Sequence, residues 1–426
     1  MENKKYGYTS YEYKKFRMNS WIYLILFSLL YCTHYCTRLN TSNIPFFPES
    51  QLGLMNSALY ACYGLGHLVN GRWGEIAGVR KFIMLSVLLS IVTNIIMGFQ
   101  SSLVIMVILL GFNGFFQSMA WSPGISSLTA WWPSDKRGFA TGFANAFSSF
   151  GEVAAKIMVA LGLVLFPTLG WRSAFFVPAA LPLLMLIVYA VFAKAGPKSV
   201  GLKDYEEDDT DKAQKENEMA AIVKEKGKLY PYKHLLKNKS FIVWVFVVFA
   251  SGLARYGLAN WIPKYLISEG MEATSSILTS TVLPIGMGIG TFIIPTLTDK
   301  FCPNNRLLAS VVSGFASAIC TVGFMLLKPE GFQLVIMMVL LFFAGFFIYA
   351  INGVVWTFAA DVGGRVFSST AAGILDCAAY MGATIQAVLF GFILGNGHYN
   401  VLFISVAAFC FAIAIVSLIS SRKKKA

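Results

Sequence analysis

The stretch FIVWVFVVFASGLARYGLANWIP, Phe241 to Pro263, is an apolar run long enough to cross a bilayer, with one arginine inside it, Arg255. It has a counterpart earlier in the chain. YLILFSLLYCTHYCTRLNTSNIP, Tyr23 to Pro45, carries Arg38. Pro45 follows Arg38 by seven residues, and Pro263 follows Arg255 by eight. At the helical rise this puts each arginine about 10–12 Å from its proline, near the middle of a hydrocarbon core roughly 30 Å thick. An arginine at that depth costs about 3 kcal/mol or more, so it is rarely accidental. Two of them at matching places predict a central anion site, because the guanidinium fork grips phosphate or carboxylate oxygens in pairs.

Composition supports a membrane protein. Of 426 residues, 56% are hydrophobic and 13% charged, and mean hydropathy is +0.64. That excludes an ordinary soluble domain and predicts an all-α polytopic protein. The net charge of +13 would suit nucleic acid only if the basic residues formed a patch. They flank apolar runs instead. Twelve spans are read, beginning near Trp21, Ser50, Lys81, Ser102, Gly138, Ser173, Phe241, Ser275, Arg306, Phe332, Val366 and Asn400. Of the 34 Lys and Arg, only Arg172, Lys264 and Lys328 fall on the far side, while Arg38, Lys156 and Arg255 lie within spans. The positive-inside rule then puts both termini in the cytoplasm. The first apolar run has no small-residue cleavage site and reads as a retained helix. Cys32 and Cys36 are one turn apart but lack further metal ligands, so they read as small buried hydrophobes. No phosphate loop or catalytic constellation is visible, so neither an enzyme nor a cofactor or metal is expected.

Residues 194–239 break the hydrophobic pattern. They carry eleven Lys and nine Asp or Glu, as a cytoplasmic linker would. The expected organisation is an N-terminal six-helix half over 1–193, the linker, and a C-terminal half over 240–426. An internal repeat supports it. GRWGEIAGVRK, Gly71 to Lys81, and TLTDKFCPNNR, Thr296 to Arg306, each place an acid, Glu75 or Asp299, before basic residues.

The first of these loops resembles the G-x-x-x-D-x-x-G-x-R-K signature of the major facilitator superfamily. Four further stretches resemble its organophosphate:phosphate antiporters, which include glycerol-3-phosphate and hexose-phosphate transporters. They are YCTRLN from Tyr35, GFFQSMAWSPGISSLTAWWPSDKRG from Gly114, AGPKSVGL from Ala195 and RYGLANWIPKYL from Arg255. The resemblance implies twelve helices in two halves around a central cavity. It implies that Glu75, Arg80 and Asp299 latch a conformation, and that Arg38 and Arg255 bind the phosphoryl group. Two departures concern specificity: His67, expected to bind substrate by donating to a phosphate oxygen, stands where the family commonly has a lysine, and Ser148 where glycerol-3-phosphate transporters have a histidine.

Other polar residues within spans extend the candidate site. Thr141, Asn145, Ser148, Glu152 and Lys156 form one face of span five. Glu152 and Lys156 are expected to pair, either to fix packing or as a coupling switch. Asp376 has no partner on its own span. It is read as binding substrate, pairing with Arg255 or Lys156, carrying a coupled proton, or being neutral. Tyr35 beside Arg38, and Tyr256 beside Arg255, are expected in the cavity. His34 reads as structural, Trp131 and Trp132 as interface anchors, and Gln117, Asn113 and Gly286, Gly288 and Gly290 as packing residues.

The leading expectation is a monomeric inner-membrane exchanger of a phosphorylated organic anion for inorganic phosphate. A proton-coupled symporter of a carboxylate or sulfonate stays open, as does a non-transporting sugar-phosphate sensor. The symporter reading draws on charge: three buried bases and two acids leave only +1 if both acids are ionised.

Overall fold

A computed structural model describes residues 6–44, 46–205, 222, 225–227, 230–302, 305–395 and 397–422. The described backbone is helical and contains no strand. Helices α1 (Ser10–His34), α2 (Glu49–Ala77), α3 (Val79–Phe99), α4 (Leu103–Trp131), α5 (Ser134–Leu165) and α6 (Ser173–Phe192) pack mainly on one another. A short α7 (Tyr230–Lys237) leads into α8 (Lys239–Ser268), α9 (Ala273–Thr279), α10 (Val282–Phe301) and α11 (Leu307–Met325). A helical segment of 64 residues follows, α12 (Gly331–Leu394), and then α13 (Tyr399–Arg422). Most of the expected linker over 194–239 lies outside the described residues. Its described start is tied back to the bundle, where Tyr205 donates to the Thr129 carbonyl at 2.7 Å.

Ten segments among the described residues are long and apolar enough to cross a membrane, two of them within α12: Gly331–Trp356 and Thr370–Leu394. Helices α1 and α2 have the length, at 25 and 29 residues, but are more polar. Their buried polar groups, among them His34, Asn56, His67 and Asn70, face the interior of the bundle. This accounts for the twelve spans expected from sequence. The long segment α12 cannot be straight. Tyr349 and Tyr380 both lie in the shell around Arg255, yet a straight helix would hold them about 46 Å apart. The chain doubles back between the two spans.

Glycines let the helices approach closely, as membrane packing favours. A Cβ on Gly286 or Gly290 of α10 would strike the carbonyls of Phe342 and Phe346 on α12. Gly288 faces α5 instead, against Ser149. At the end of the bundle opposite the linker, α2 and α12 meet through Gly53 and Gly391, backbone against backbone. Around that contact, Lys264 Nζ donates to the Phe47 carbonyl at 2.6 Å and lies 3.8 Å from Glu49, which also accepts from the Tyr399 hydroxyl at 3.3 Å. The six N-terminal helices and the C-terminal ones are therefore clamped together at this end.

Candidate functional site

The first span does not run as one helix. α1 stops at His34, a single 3-10 turn follows over Tyr35–Thr37, and Arg38 caps it. Side chains from α3 and α4 explain the break. Gln117 Nε2 donates to the His34 carbonyl at 3.2 Å, and Asn113 and Asn94 donate to the Thr37 carbonyl at 2.7 and 2.9 Å. Carbonyls that would continue the helix are thus satisfied by neighbours, which removes the penalty for leaving them. Gln117 was read as a packing residue; it also accepts from Arg38 Nε at 3.1 Å. One glutamine therefore fixes both the break and the arginine beyond it.

Arg38 is 1% exposed and forms no ion pair with a carboxylate among the described residues. Its guanidinium lies 4.2 and 4.3 Å from the rings of Tyr63 and Tyr35. Stacking on tyrosine faces partly replaces the water an arginine loses on burial. NH1 donates to the Tyr380 hydroxyl at 3.4 Å, and NH2 is buried without a partner among the described residues.

Arg255 sits within the unbroken helix α8. It forms an ion pair with Glu152 of α5. Its guanidinium lies 4.0 Å from the Tyr349 ring and 4.6 Å from that of Tyr256, and NH1 donates to the Tyr256 hydroxyl at 3.4 Å. Nε has no partner. The expected Glu152–Lys156 pair is therefore corrected. The buried guanidinium of Arg255 on the facing helix takes one oxygen of Glu152, and Lys156 donates instead to the Ser280 hydroxyl at 2.7 Å, at the break between α9 and α10.

A chain of hydroxyls joins the two arginines. Tyr380 accepts from Arg38 and from Tyr256, which donates at 3.0 Å, and Tyr256 accepts from Arg255. Tyr380 keeps its own proton to donate. A small cavity of about 40 Å³ opens beside this chain, lined by Tyr35, Asn145, Arg255, Tyr256, Asp376 and Tyr380 among others. It extends toward the linker end, where Val248, Trp121 and Trp356 complete its wall.

The other expected residues are divided. Asn145 and Ser148 meet the Tyr349 hydroxyl, at 3.5 and 3.1 Å. Asp376 lines the cavity and interacts electrostatically with both arginines, but makes no hydrogen bond among the described residues. His67 is bonded through Nδ1 to Ser122 at 3.0 Å and packs on Tyr63, with Nε2 unpartnered. It stands behind the tyrosines and is not among the residues that line the cavity. His34 is buried with both ring nitrogens unpartnered. Arg80 bonds to the Ala190 carbonyl, capping the last turn of α6. The side chains of Glu75 and Asp299 lie outside the described ones, and so does Pro45. The sequence reading missed Tyr349. Its signal was the spacing Tyr349, Asn352, Trp356, three and then four residues, which lays one face of the tenth span into the cavity.

Arg255 lines this cavity and Arg38 reaches it through Tyr380, and the sequence that carries them matches a known family. The Major Facilitator Superfamily model matches residues 16–374. The chain belongs to this superfamily. Its curated relatives include a glycerol-3-phosphate transporter of Bacillus subtilis, 28% identical, with 97% of this chain and 94% of that protein covered. A "Probable hexose phosphate transport protein" of Chlamydia trachomatis is 25% identical over 87% of this chain and 82% of its own. A "Probable sulfoacetate transporter" of Cupriavidus necator is 26% identical over 92% and 91%. The fold also matches a solved bacterial homologue of the human lysosomal transporter Spinster, inward-facing and unoccupied. That match has a TM-score of 0.68, 14% identity and 96% coverage of both chains. The superfamily's relatives named here are transporters, and the chain is a multi-pass membrane protein of that kind.

Proposed function

We propose that this transporter exchanges a phosphorylated organic anion for inorganic phosphate by alternating access. One observation carries the reading: Arg255 lines the cavity, Arg38 stands one hydrogen bond behind it through Tyr380, and each of these buried arginines keeps an unused donor among the described residues. Arg38 NH2 and Arg255 Nε, with the Tyr380 proton, form a set of donors suited to a tetrahedral anion. The names of the Bacillus and Chlamydia relatives point to the same substrate class. On this reading, residues 1–193 and 240–426 are halves that rock about the site, and 194–239 is the linker that lets them. The chain works as a monomer in the inner membrane with both termini and the linker in the cytoplasm. The clamp at Gly53 and Gly391 is then the outer closure. Glu75, Arg80 and Asp299 belong to the opposite, cytoplasmic latch. Asp376, Asn145 and Ser148 contact the organic part of the substrate.

A second reading has one observation in its favour. The sulfoacetate-transporter relative is as similar as the phosphate-ester ones. A sulfonate would use the same donors, with Asp376 or Glu152 carrying a proton. Purified protein in vesicles loaded with inorganic phosphate separates the two. Uptake of labelled phosphate without a pH gradient, inhibited by glycerol-3-phosphate, is the expected result. Flux only for sulfoacetate, and only under a proton gradient, would replace the first reading by the second.

A further inference from the structure

Glu152 occupies the place on Arg255 that a substrate oxygen would take. It is 1% exposed, and its second oxygen, Oε2, is buried with no partner, although a carboxylate can accept about four hydrogen bonds. Lys156 lies one turn further along α5, on the same face. It is 3% exposed, and among the described residues its ammonium donates to the neutral hydroxyl of Ser280 alone. A glutamate four residues before a lysine is the favourable order for a pair within one helix. Glu152 thus has two cations in reach, one on each side, and a rotation of its side chain exchanges them without moving the backbone.

We propose that Glu152 is a tethered competitor of the substrate. An anion entering between Arg38 and Arg255, as the reading above requires, displaces the carboxylate from Arg255, and the carboxylate turns to Lys156. Arg255 is then never bare: it holds Glu152 when the site is empty and the ligand when it is full. Lys156 is a positioning residue, which receives the displaced charge without touching the ligand. The competition lowers affinity and hastens release, because the binding-competent form is only a fraction of the empty protein. It also disfavours ligands too weakly charged to displace a carboxylate.

The test is equilibrium binding to the purified full-length protein of three probes: inorganic phosphate, glycerol-3-phosphate and sulfoacetate. Glu152→Gln keeps the shape and removes the charge. It should tighten the probe that binds by about tenfold and slow its exchange, because release becomes limiting. Lys156→Met should weaken binding by about tenfold in the natural protein and have no effect in the Glu152→Gln background. Unchanged or weaker binding by Glu152→Gln overturns the proposal, as does a Lys156→Met effect that persists undiminished in the double variant. If Glu152→Gln does not fold, Lys156→Met alone decides, and unchanged affinity overturns the idea. Failure of the natural protein to bind any of the three probes overturns the anion reading itself, a result distinct from natural binding that Glu152→Gln fails to tighten.

Discussion

The two arginines that open the sequence look equivalent, and their surroundings are not. Arg38 stands at a helix break, held by a neutral glutamine and by tyrosine rings, with no carboxylate on it. Arg255 stands in a continuous helix and is already neutralised by Glu152. The first is a cation without a direct ion pair, with only the unbonded carboxyl of Asp376 acting on it from a distance. The second is an ion pair that an anion must open. Matching depth in two halves therefore does not mean matching energetics.

The sharpest way to break this contrast is to remove each arginine in turn. Arg38→Ala should abolish exchange, a loss of about a thousandfold if the charge contributes 4 kcal/mol to holding the anion. It should also leave thermal stability in detergent unchanged or raised, since a buried cation without a direct ion pair disappears. Arg255→Ala should also stop exchange, but it breaks an ion pair and should cost about 1–2 kcal/mol of stability, the part of the Arg255 contact that Lys156 does not replace for Glu152. Melting curves of the two purified variants that fall by equal amounts would erase the distinction.

Gln117 gives the next largest effect. Gln117→Ala frees Arg38 Nε and leaves the His34 carbonyl with the Thr37 hydroxyl as its remaining side-chain donor. Exchange should drop about tenfold with KM raised, because a misaimed guanidinium loses its geometry before its charge. An unchanged KM would mean that the tyrosine rings alone aim Arg38. The smallest effect is expected at Ser280. Ser280→Ala removes the neutral partner of Lys156 and should bias Glu152 toward Lys156, away from Arg255. Affinity for the transported anion should rise about twofold, read by the same binding assay. A weakened affinity would place Ser280 with the substrate instead.

Much of this was legible in the chain. The spans, the two buried arginines and the buried Glu152 follow from the cost of charge in hydrocarbon, which makes each one conspicuous in sequence. Two things were not legible. One was the partner of Glu152: spacing reports neighbours on one helix, and Lys156 is such a neighbour, whereas Arg255 lies 103 positions away and meets it only by packing. The other was the helix break at Tyr35–Thr37. No proline or glycine interrupts YCTHYCTR, and the cause lies in amides of α3 and α4 that take the carbonyls from outside. Tyr349 and Gln117 were overlooked because a single uncharged polar residue in an apolar run is cheap enough to be ordinary. Their meaning appears only when the faces are assembled.

The meeting of Gly53 and Gly391 carries a mechanical consequence. Two bare backbones in contact present no side chains that must unlock or change rotamer before they part. The seam is like the jaws of smooth pliers: only the polar contacts around it, those of Lys264 with Phe47 and Glu49 and of Tyr399 with Glu49, have to release before it opens. A methyl group on either glycine would act as a wedge in those jaws. The resulting carrier would rest with this end ajar, which makes Gly53→Ala a handle for trapping the opposite state of the transport cycle.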